Sequence, residues 1–133
     1  MSISVCIPGY DEWTRGVDEE GDVCEVPPEY FDNIGHDNWF SIVKRLGFNH
    51  LTECYSLEGL ELDQWIKALF KAKNSEKILR SFRKSSTQIY RCGTHHEVDV
   101  QAVEDVDYFS KKLGILHKIA VFAREKGSLV YIY

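Results

Sequence analysis

The longest amphipathic pattern of the chain lies near its C-terminus, and it constrains the fold more than any other segment. Six apolar residues fall within about 100° of one another on a helical projection, the width of a core-facing stripe: Val106, Phe109, Leu113, Leu116, Ala120 and Ala123. Apolar residues also occupy the other faces of its second half. A helix of this kind is covered by a sheet on one side and by helices on the other. We therefore predict that residues 105–126 form the central helix.

Both ends of the chain carry the pattern of a β-strand. Ile3, Val5 and Ile7 alternate with small or polar residues, and residues 129–133 form a β-rich run just after Gly127. A C-terminal strand needs a partner, so we expect the two ends to pair in one sheet. If the C-terminal strand leaves an exposed edge, that edge offers a surface for self-association. A monomer and a homodimer are therefore both open.

Three shorter helices are indicated between these ends. Asp37 or Asn38 is expected to cap a helix that Gly47 closes, a second helix covers residues 62–73, and Asn74-Ser75 caps a third. A chain of 133 residues with 44% hydrophobic content is long enough for one packed core. We predict a single domain, residues 1–133, of the α/β (α+β) class. Its small sheet, formed by the N- and C-terminal strands, packs against about four helices, the last of them long and central.

Several functional classes are disfavoured by what the sequence lacks. No apolar run approaches the roughly 20 residues of a membrane span, and the N-terminus has no signal-peptide pattern, so we expect a cytoplasmic protein without membrane contact. The four cysteines have no paired spacing and are expected to be reduced. The glycines do not follow a phosphate-binding spacing, and no cofactor is expected.

Acidic and basic residues are sorted into separate blocks along the chain. Residues 1–40 contain ten carboxylates and one base, whereas residues 67–91 contain eight bases and one acid. This segregation creates local fields although the formal net charge is only −5. It indicates a charged partner, or two parts of the fold that face each other.

The acidic block is predicted to be a long loop, at about residues 10–37. It carries Pro27-Pro28, three glycines and no sustained periodicity, although its scattered apolar residues indicate that part of it packs down. An aromatic residue within a negative rim suits a hot spot for a basic partner protein. The residues predicted to bind that partner are Asp11, Glu12, Trp13, Asp18, Glu19, Glu20 and Asp22. The alternative is a mobile acidic loop that keeps the protein soluble.

The basic block has two interpretations. It is either the solvated face of amphipathic helices or an anion-binding surface, for which the candidates are Lys77, Arg80, Arg83, Lys84 and Arg91. With His95 and His96, such a surface would define a small enzyme or a ligand-binding domain for an anionic substrate. Nucleic-acid binding is not expected at a pI near 5.5.

The histidines of the chain offer two candidates for chemistry. Cys92, His95 and His96 resemble part of a zinc site, but a closed site needs four ligands and no partner motif follows, so no metal is predicted. His117 lies on the apolar stripe of the last helix, where an imidazole is usually a core residue hydrogen-bonded to backbone. No catalytic residue is predicted, and an enzyme is the less favoured class.

The layout of the chain resembles a diffuse set of small, largely uncharacterised bacterial and phage proteins. The shared features are a short N-terminal strand, here residues 3–7, a compact helix at residues 39–46 followed by Gly47, and the turn at residues 123–127 before the final strand. The chain departs from them at His36-Asp37-Asn38-Trp39, where an Asn-rich helix start is common.

The chain also resembles, in general style, the immunity proteins of bacterial toxin systems, which are small, acidic and cytoplasmic. The resemblance implies a non-enzymatic inhibitory protein that occludes a basic partner. That partner would be a toxin or, for a phage-encoded inhibitor, a defence protein.

Overall fold

A computed structural model of the protein describes residues 2–52, 54–82 and 105–133, together with the backbone of two strands between residues 84 and 103. In chain order the elements are β1 (Ser2–Cys6), β2 (Thr14–Val17), β3 (Val23–Val26), β4 (Phe31–Gly35), α1 (His36–Leu46), β5 (Tyr55–Leu57), α2 (Gly59–Lys73), α3 (Glu76–Ser81), β6 (Lys84–Cys92), β7 (His95–Val103), α4 (Val106–Glu125) and β8 (Val130–Ile132). The α+β class predicted from the sequence is confirmed.

The central sheet joins the two ends of the chain. Its strand order is β4-β1-β8-β5, and every neighbouring pair is antiparallel. Val5 lies opposite Ile132, which confirms the predicted pairing of the terminal strands. Because side chains alternate along a strand, one face of the sheet is apolar and buried: Ile3, Val5, Ile34, Leu57, Val130 and Ile132.

The C-terminal strand does not offer a free edge. β8 lies between β1 and β5 and pairs with both of them. The exposed edge that self-association through residues 129–133 would need is therefore absent, because β8 already makes these hydrogen bonds within the chain. The choice between a monomer and a homodimer is not tested by this geometry. The edges of this sheet are β4 and β5.

Helix α4 forms the centre of the helical layer, as the sequence predicts. Its buried side chains are Phe109, Leu113, Leu116, Ile119, Ala120 and Ala123. They pack mainly against α2, with further contacts to α3, β4 and β8. The carboxylate of Asp105 accepts a hydrogen bond of 3.0 Å from the amide of Tyr108, so Asp105 caps the helix.

Helix α1 confirms one predicted boundary and corrects the other. Gly47 ends it in the left-handed conformation, with φ of 81°. The N-cap is Gly35 rather than Asp37 or Asn38, and glycine has no side chain with which to cap the helix. The reason is that β4 runs directly into α1, so both candidate caps lie inside the helix, where the Asn38 amide donates to the Tyr108 hydroxyl at 3.2 Å.

The other two helices follow the predicted patterns closely. α2 begins at Gly59, a little before the predicted start at Leu62, and ends at Lys73 as predicted. Ser75 caps α3 by accepting a hydrogen bond of 3.3 Å from the amide of Ile78, which confirms its predicted role.

The acidic block is more ordered than the predicted long loop. Residues 10–37 contain the hairpin of β2 and β3, and then β4, which pairs with β1 along five positions. The loop prediction is wrong here because each strand is too short to show a sustained period. The part that packs down is its end, where Ile34 is buried and Tyr30 lies against the core.

Strands β6 and β7 form a second hairpin, with Lys84 opposite Val103 and Cys92 opposite His95. In β7, Val98, Val100 and Ala102 alternate with polar residues, which is the period-two pattern of a strand. Within the described residues, no helix has the length and apolar character needed to cross a membrane.

Candidate functional site

The acidic hairpin, residues 14–26, carries the main concentration of carboxylates. β2 and β3 pair from Thr14 opposite Val26 to Val17 opposite Val23. Beyond Val17, the amide of Asp18 donates to the carbonyl of Asp22 at 2.9 Å, which closes the turn. Gly21 has φ of 85°, a conformation that costs glycine little.

One carboxylate of the turn has a structural role. Oδ1 of Asp18 accepts hydrogen bonds from the amides of Glu20 at 3.0 Å and Asp22 at 2.8 Å. An aspartate that bonds to following backbone amides in this way stabilises a turn. The acids that remain available to a partner are Glu19, Glu20 and Asp22, whose side chains are exposed.

Two valines form an exposed apolar pair beside this turn. Val17 and Val23 lie directly opposite each other, and they are 69% and 73% exposed. Arg15 and Glu25 form the other pair on the same face, since side chains two positions apart share a face. The tip of the hairpin thus presents apolar area next to a turn in which four of five residues are acidic.

Trp13 lies at the base of the hairpin, apart from the turn. Its ring is half exposed and contacts Phe31 edge-on, with centroids 5.5 Å apart. Four residues of strand separate it from Asp18, a length of about 13 Å. The residues predicted as one partner-binding patch therefore form two groups, with Asp11, Glu12 and Trp13 at the base and Asp18, Glu19, Glu20 and Asp22 at the tip.

The base of the hairpin adjoins the ends of β1 and β8. Burial and the nearby carboxylate of Asp11 raise the pKa of the Cys6 thiol, while a hydrogen bond with Tyr133 lowers it by less. Burial and Cys6 likewise raise the pKa of Tyr133. Both groups are therefore protonated at neutral pH, and Cys6 is not activated as a nucleophile.

The predicted anion-binding residues are only partly described. Lys77 and Arg80 lie exposed on α3, and the Arg80 guanidinium pairs with Glu76 at 2.6 Å. The side chains of Arg83, Lys84 and Arg91 lie outside the described residues. Both interpretations of the basic block predict exposed side chains at Lys77 and Arg80, so this exposure does not distinguish them.

The weak zinc candidates lie on the β6–β7 hairpin. Cys92 is opposite His95, and Arg91 is opposite His96. The side chains of Cys92, His95 and His96 lie outside the described residues. Among the residues that the structure does describe, no group of three or more His, Cys, Asp or Glu side chains is placed to hold a metal ion.

His117 is partly buried rather than a core residue bonded to backbone. Its Nδ1 lies 3.2 Å from Nζ of Lys73, and its ring lies 5.8 Å from that of Phe70. The prediction failed because Lys73 of α2 reaches this face of α4. Burial, and then the charge of Lys73, lower the pKa of His117, so the imidazole is neutral at pH 7.

An open cleft of about 520 Å³ between the hairpin base and α4 was not predicted from the sequence. Tyr10, Tyr30 and Phe122 contribute aromatic rings to it, and its charged residues are Glu12 and Glu29. These residues come from distant segments, so no local pattern joins them.

Comparisons with protein-family models, with curated proteins and with solved structures found no match to this chain.

Proposed function

We propose that this chain is a non-enzymatic binding protein that occludes a basic surface of a partner protein. Its role would be that of a toxin immunity protein or of a phage-encoded inhibitor of a defence protein. The observation that carries the proposal is the exposed pair Val17 and Val23, which lies beside the acidic turn of the hairpin. An apolar contact with a charged rim is the usual composition of a protein interface.

The core of the protein does not account for this hairpin. No side chain from residue 8 to residue 31 is buried, so the segment contributes little to the packed core. Two exposed valines with their polar surroundings do not stabilise the fold by burial. A partner that covers them would remove most of their area from water, which favours binding.

Trp13 supplies the residue type that most often dominates binding energy at interfaces. Its contact with Phe31 holds the ring in place while half of its surface stays exposed. A ring that is already ordered loses less conformational freedom on binding. Trp13 and the valine pair would thus form two apolar contacts on one partner.

The carboxylates give the surface its selectivity for a basic partner. Glu19, Glu20 and Asp22 at the tip, with Asp11 and Glu12 at the base, place negative charge around both apolar contacts. Such a field raises the association rate and disfavours acidic partners by like-charge repulsion. Binding would block the covered surface without any chemical step.

The test is a comparison of two variants with matched changes in charge. Glu19→Lys with Glu20→Lys reverses two carboxylates of the turn and leaves Asp18 in place. Glu58→Lys with Asp107→Lys makes the same change in net charge at exposed positions outside the hairpin. Wild type and both variants are used to capture proteins from a lysate of the encoding organism, and the captured proteins are quantified by mass spectrometry.

We expect the wild type and the Glu58/Asp107 variant to retain the same basic protein, and the Glu19/Glu20 variant to lose it. Retention by the Glu19/Glu20 variant would exclude the turn as the interface. Equal loss from both variants would show that only net charge matters, which also contradicts the proposal.

A further inference from the structure

The cleft between the hairpin base and α4 is large enough to admit a long side chain of a partner protein. Its volume is about 520 Å³, and Pro28, Tyr10 and Tyr30 line it on the side of the acidic segment. Phe122 lines it from α4. The cleft is continuous with the proposed interface, because Glu12 of the hairpin base is one of its walls.

The aromatic rings of the cleft are arranged around Phe122. Tyr30 stacks on Phe122 with ring centroids 3.8 Å apart, and Tyr10 meets it edge-on at 5.1 Å. Tyr10 is 43% exposed, so part of its ring is open to a ligand. Aromatic faces carry partial negative charge and attract cations.

Cations of the chain itself already lie over two of these rings. Nζ of Lys118 lies 5.1 Å from the centroid of Tyr30, and Nζ of Lys126 lies 5.5 Å from that of Phe122. Neither lysine lines the cleft, so both approach from outside it. Because Tyr30 and Phe122 also stack on each other, the ring with a face open to a ligand cation is that of Tyr10.

The charged residues that line the cleft are both carboxylates, Glu12 and Glu29. Glu29 has an internal partner, since its Oε1 lies 3.4 Å from Nζ of Lys118. Both side chains of this pair are more than half exposed, and such pairs contribute about 0–1 kcal/mol. A ligand cation that also stacks on the exposed ring of Tyr10 would compete well for Glu29.

We propose that this cleft binds the guanidinium group of an arginine side chain. A guanidinium is planar and weakly hydrated, so it stacks on aromatic faces and forms paired hydrogen bonds with carboxylates. A lysine ammonium is a compact and strongly hydrated charge that does neither as well. The inference rests on the proposed function, because the arginine would belong to the basic partner.

The probe for this site is Nα-acetyl-L-arginine methylamide, and its control is the citrulline analogue, which has nearly the same shape and no charge. Binding is followed by NMR of the ring carbons of Tyr10, Tyr30 and Phe122. We expect the arginine probe to shift these signals with a dissociation constant in the millimolar range, and the citrulline probe to bind at least about tenfold more weakly. Equal binding of the two probes would overturn the proposal.

Two variants give opposite predictions for the same titration. Glu12→Gln with Glu29→Gln keeps the shape of the cleft and should lower its affinity for the arginine probe by about tenfold or more. Lys118→Met removes the internal partner of Glu29 and should raise the affinity for the probe by about threefold. Unchanged affinity in the Glu12/Glu29 variant would overturn the proposal, as would weaker binding to Lys118→Met.

The turn variant Glu19→Gln with Glu20→Gln separates this inference from the proposed function. It should leave the arginine probe unaffected, because the turn lies at the far end of the hairpin. If the partner needs Glu19 and Glu20 but the probe does not bind the cleft, only the arginine site is overturned. If the probe binds but partner capture survives reversal of Glu19 and Glu20, only the proposed role of the turn is overturned.

Discussion

Nζ of Lys112 in α4 lies 3.0 Å from Oδ1 of Asp32 in β4. The same ammonium donates to the carbonyl of Asn33 at 3.2 Å. Asp32 is only 8% exposed, and its Oδ2 has no hydrogen-bond partner among the described atoms. This pair joins the edge strand that follows the acidic hairpin to the central helix.

Replacement of Lys112 by methionine should destabilise the protein by about 3 kcal/mol, because it leaves the Asp32 carboxylate buried without a counter-charge. The free energy of unfolding, measured by urea denaturation, tests this value. The double variant Asp32→Leu with Lys112→Met should recover much of the loss, since it removes the buried charge as well. A double variant less stable than Lys112→Met alone would contradict this account.

His117 should make stability depend on pH in the weakly acidic range. Its folded-state pKa lies below the ordinary value of about 6.5. As the pH falls, the imidazole is therefore protonated at a higher pH in the unfolded chain than in the folded chain. This protonation stabilises the unfolded state relative to the folded state. Stability should decrease from near pH 6.5 down to the folded-state pKa, and it should show no further effect of this group below that.

Between pH 7 and pH 5.5, the variant His117→Gln should lose less unfolding free energy than the wild type. Lys73→Met should also make the unfolding free energy depend less on pH, because it removes a charge that opposes protonation of His117. An identical pH profile for wild type and His117→Gln would refute the prediction.

The Asp18 side chain should stabilise the turn through its hydrogen bonds rather than through its charge. Asp18→Ala removes the acceptor for the amides of Glu20 and Asp22, at a local cost of about 1 kcal/mol. Hydrogen exchange of these two amides should then accelerate by about fivefold. Asp18→Asn keeps a side-chain oxygen and should preserve most of the protection. Faster exchange in the asparagine variant than in the alanine variant would show that this role is misassigned.

Gly47 should resist substitution because φ is 81° there. Gly47→Ala should cost about 1 kcal/mol in unfolding free energy. Gly35→Ala is the matched control, since Gly35 has φ of −53° and an added Cβ would meet Asn38 at an ordinary 3.6 Å. We expect the control to change stability by less than about 0.5 kcal/mol, and a larger cost at Gly35 than at Gly47 would be inconsistent with the αL cap.

The helices were predictable because their signals are local. The stripe of α4, the caps Asp105 and Ser75, and the closing Gly47 each depend on residues within a few positions of one another. The alternation of Val5 with its neighbours, and the β-rich C-terminus, likewise predicted the sheet that joins the two ends.

The acidic hairpin carried a signal that was available but weak. Val17 and Val23 flank a turn rich in Asp, Glu and Gly, which is the arrangement expected of a hairpin. Each strand is only four residues long and half polar, so its sequence resembles that of a loop. The strands become evident only from their pairing in the folded chain. The aromatic cleft was not predictable, because Tyr10, Tyr30 and Phe122 meet only in the folded chain.

The most direct test of the central claim is the rate of association with the captured basic partner as a function of salt concentration. For the wild type, the rate constant should fall steeply between low and physiological ionic strength, because the carboxylates of the hairpin steer the encounter. Glu19→Lys with Glu20→Lys should lower the rate at low salt by about tenfold and flatten this dependence, while Glu58→Lys with Asp107→Lys should stay close to wild type. Equal rates and equal salt dependence for both variants would contradict the claim that the acidic hairpin is the binding surface.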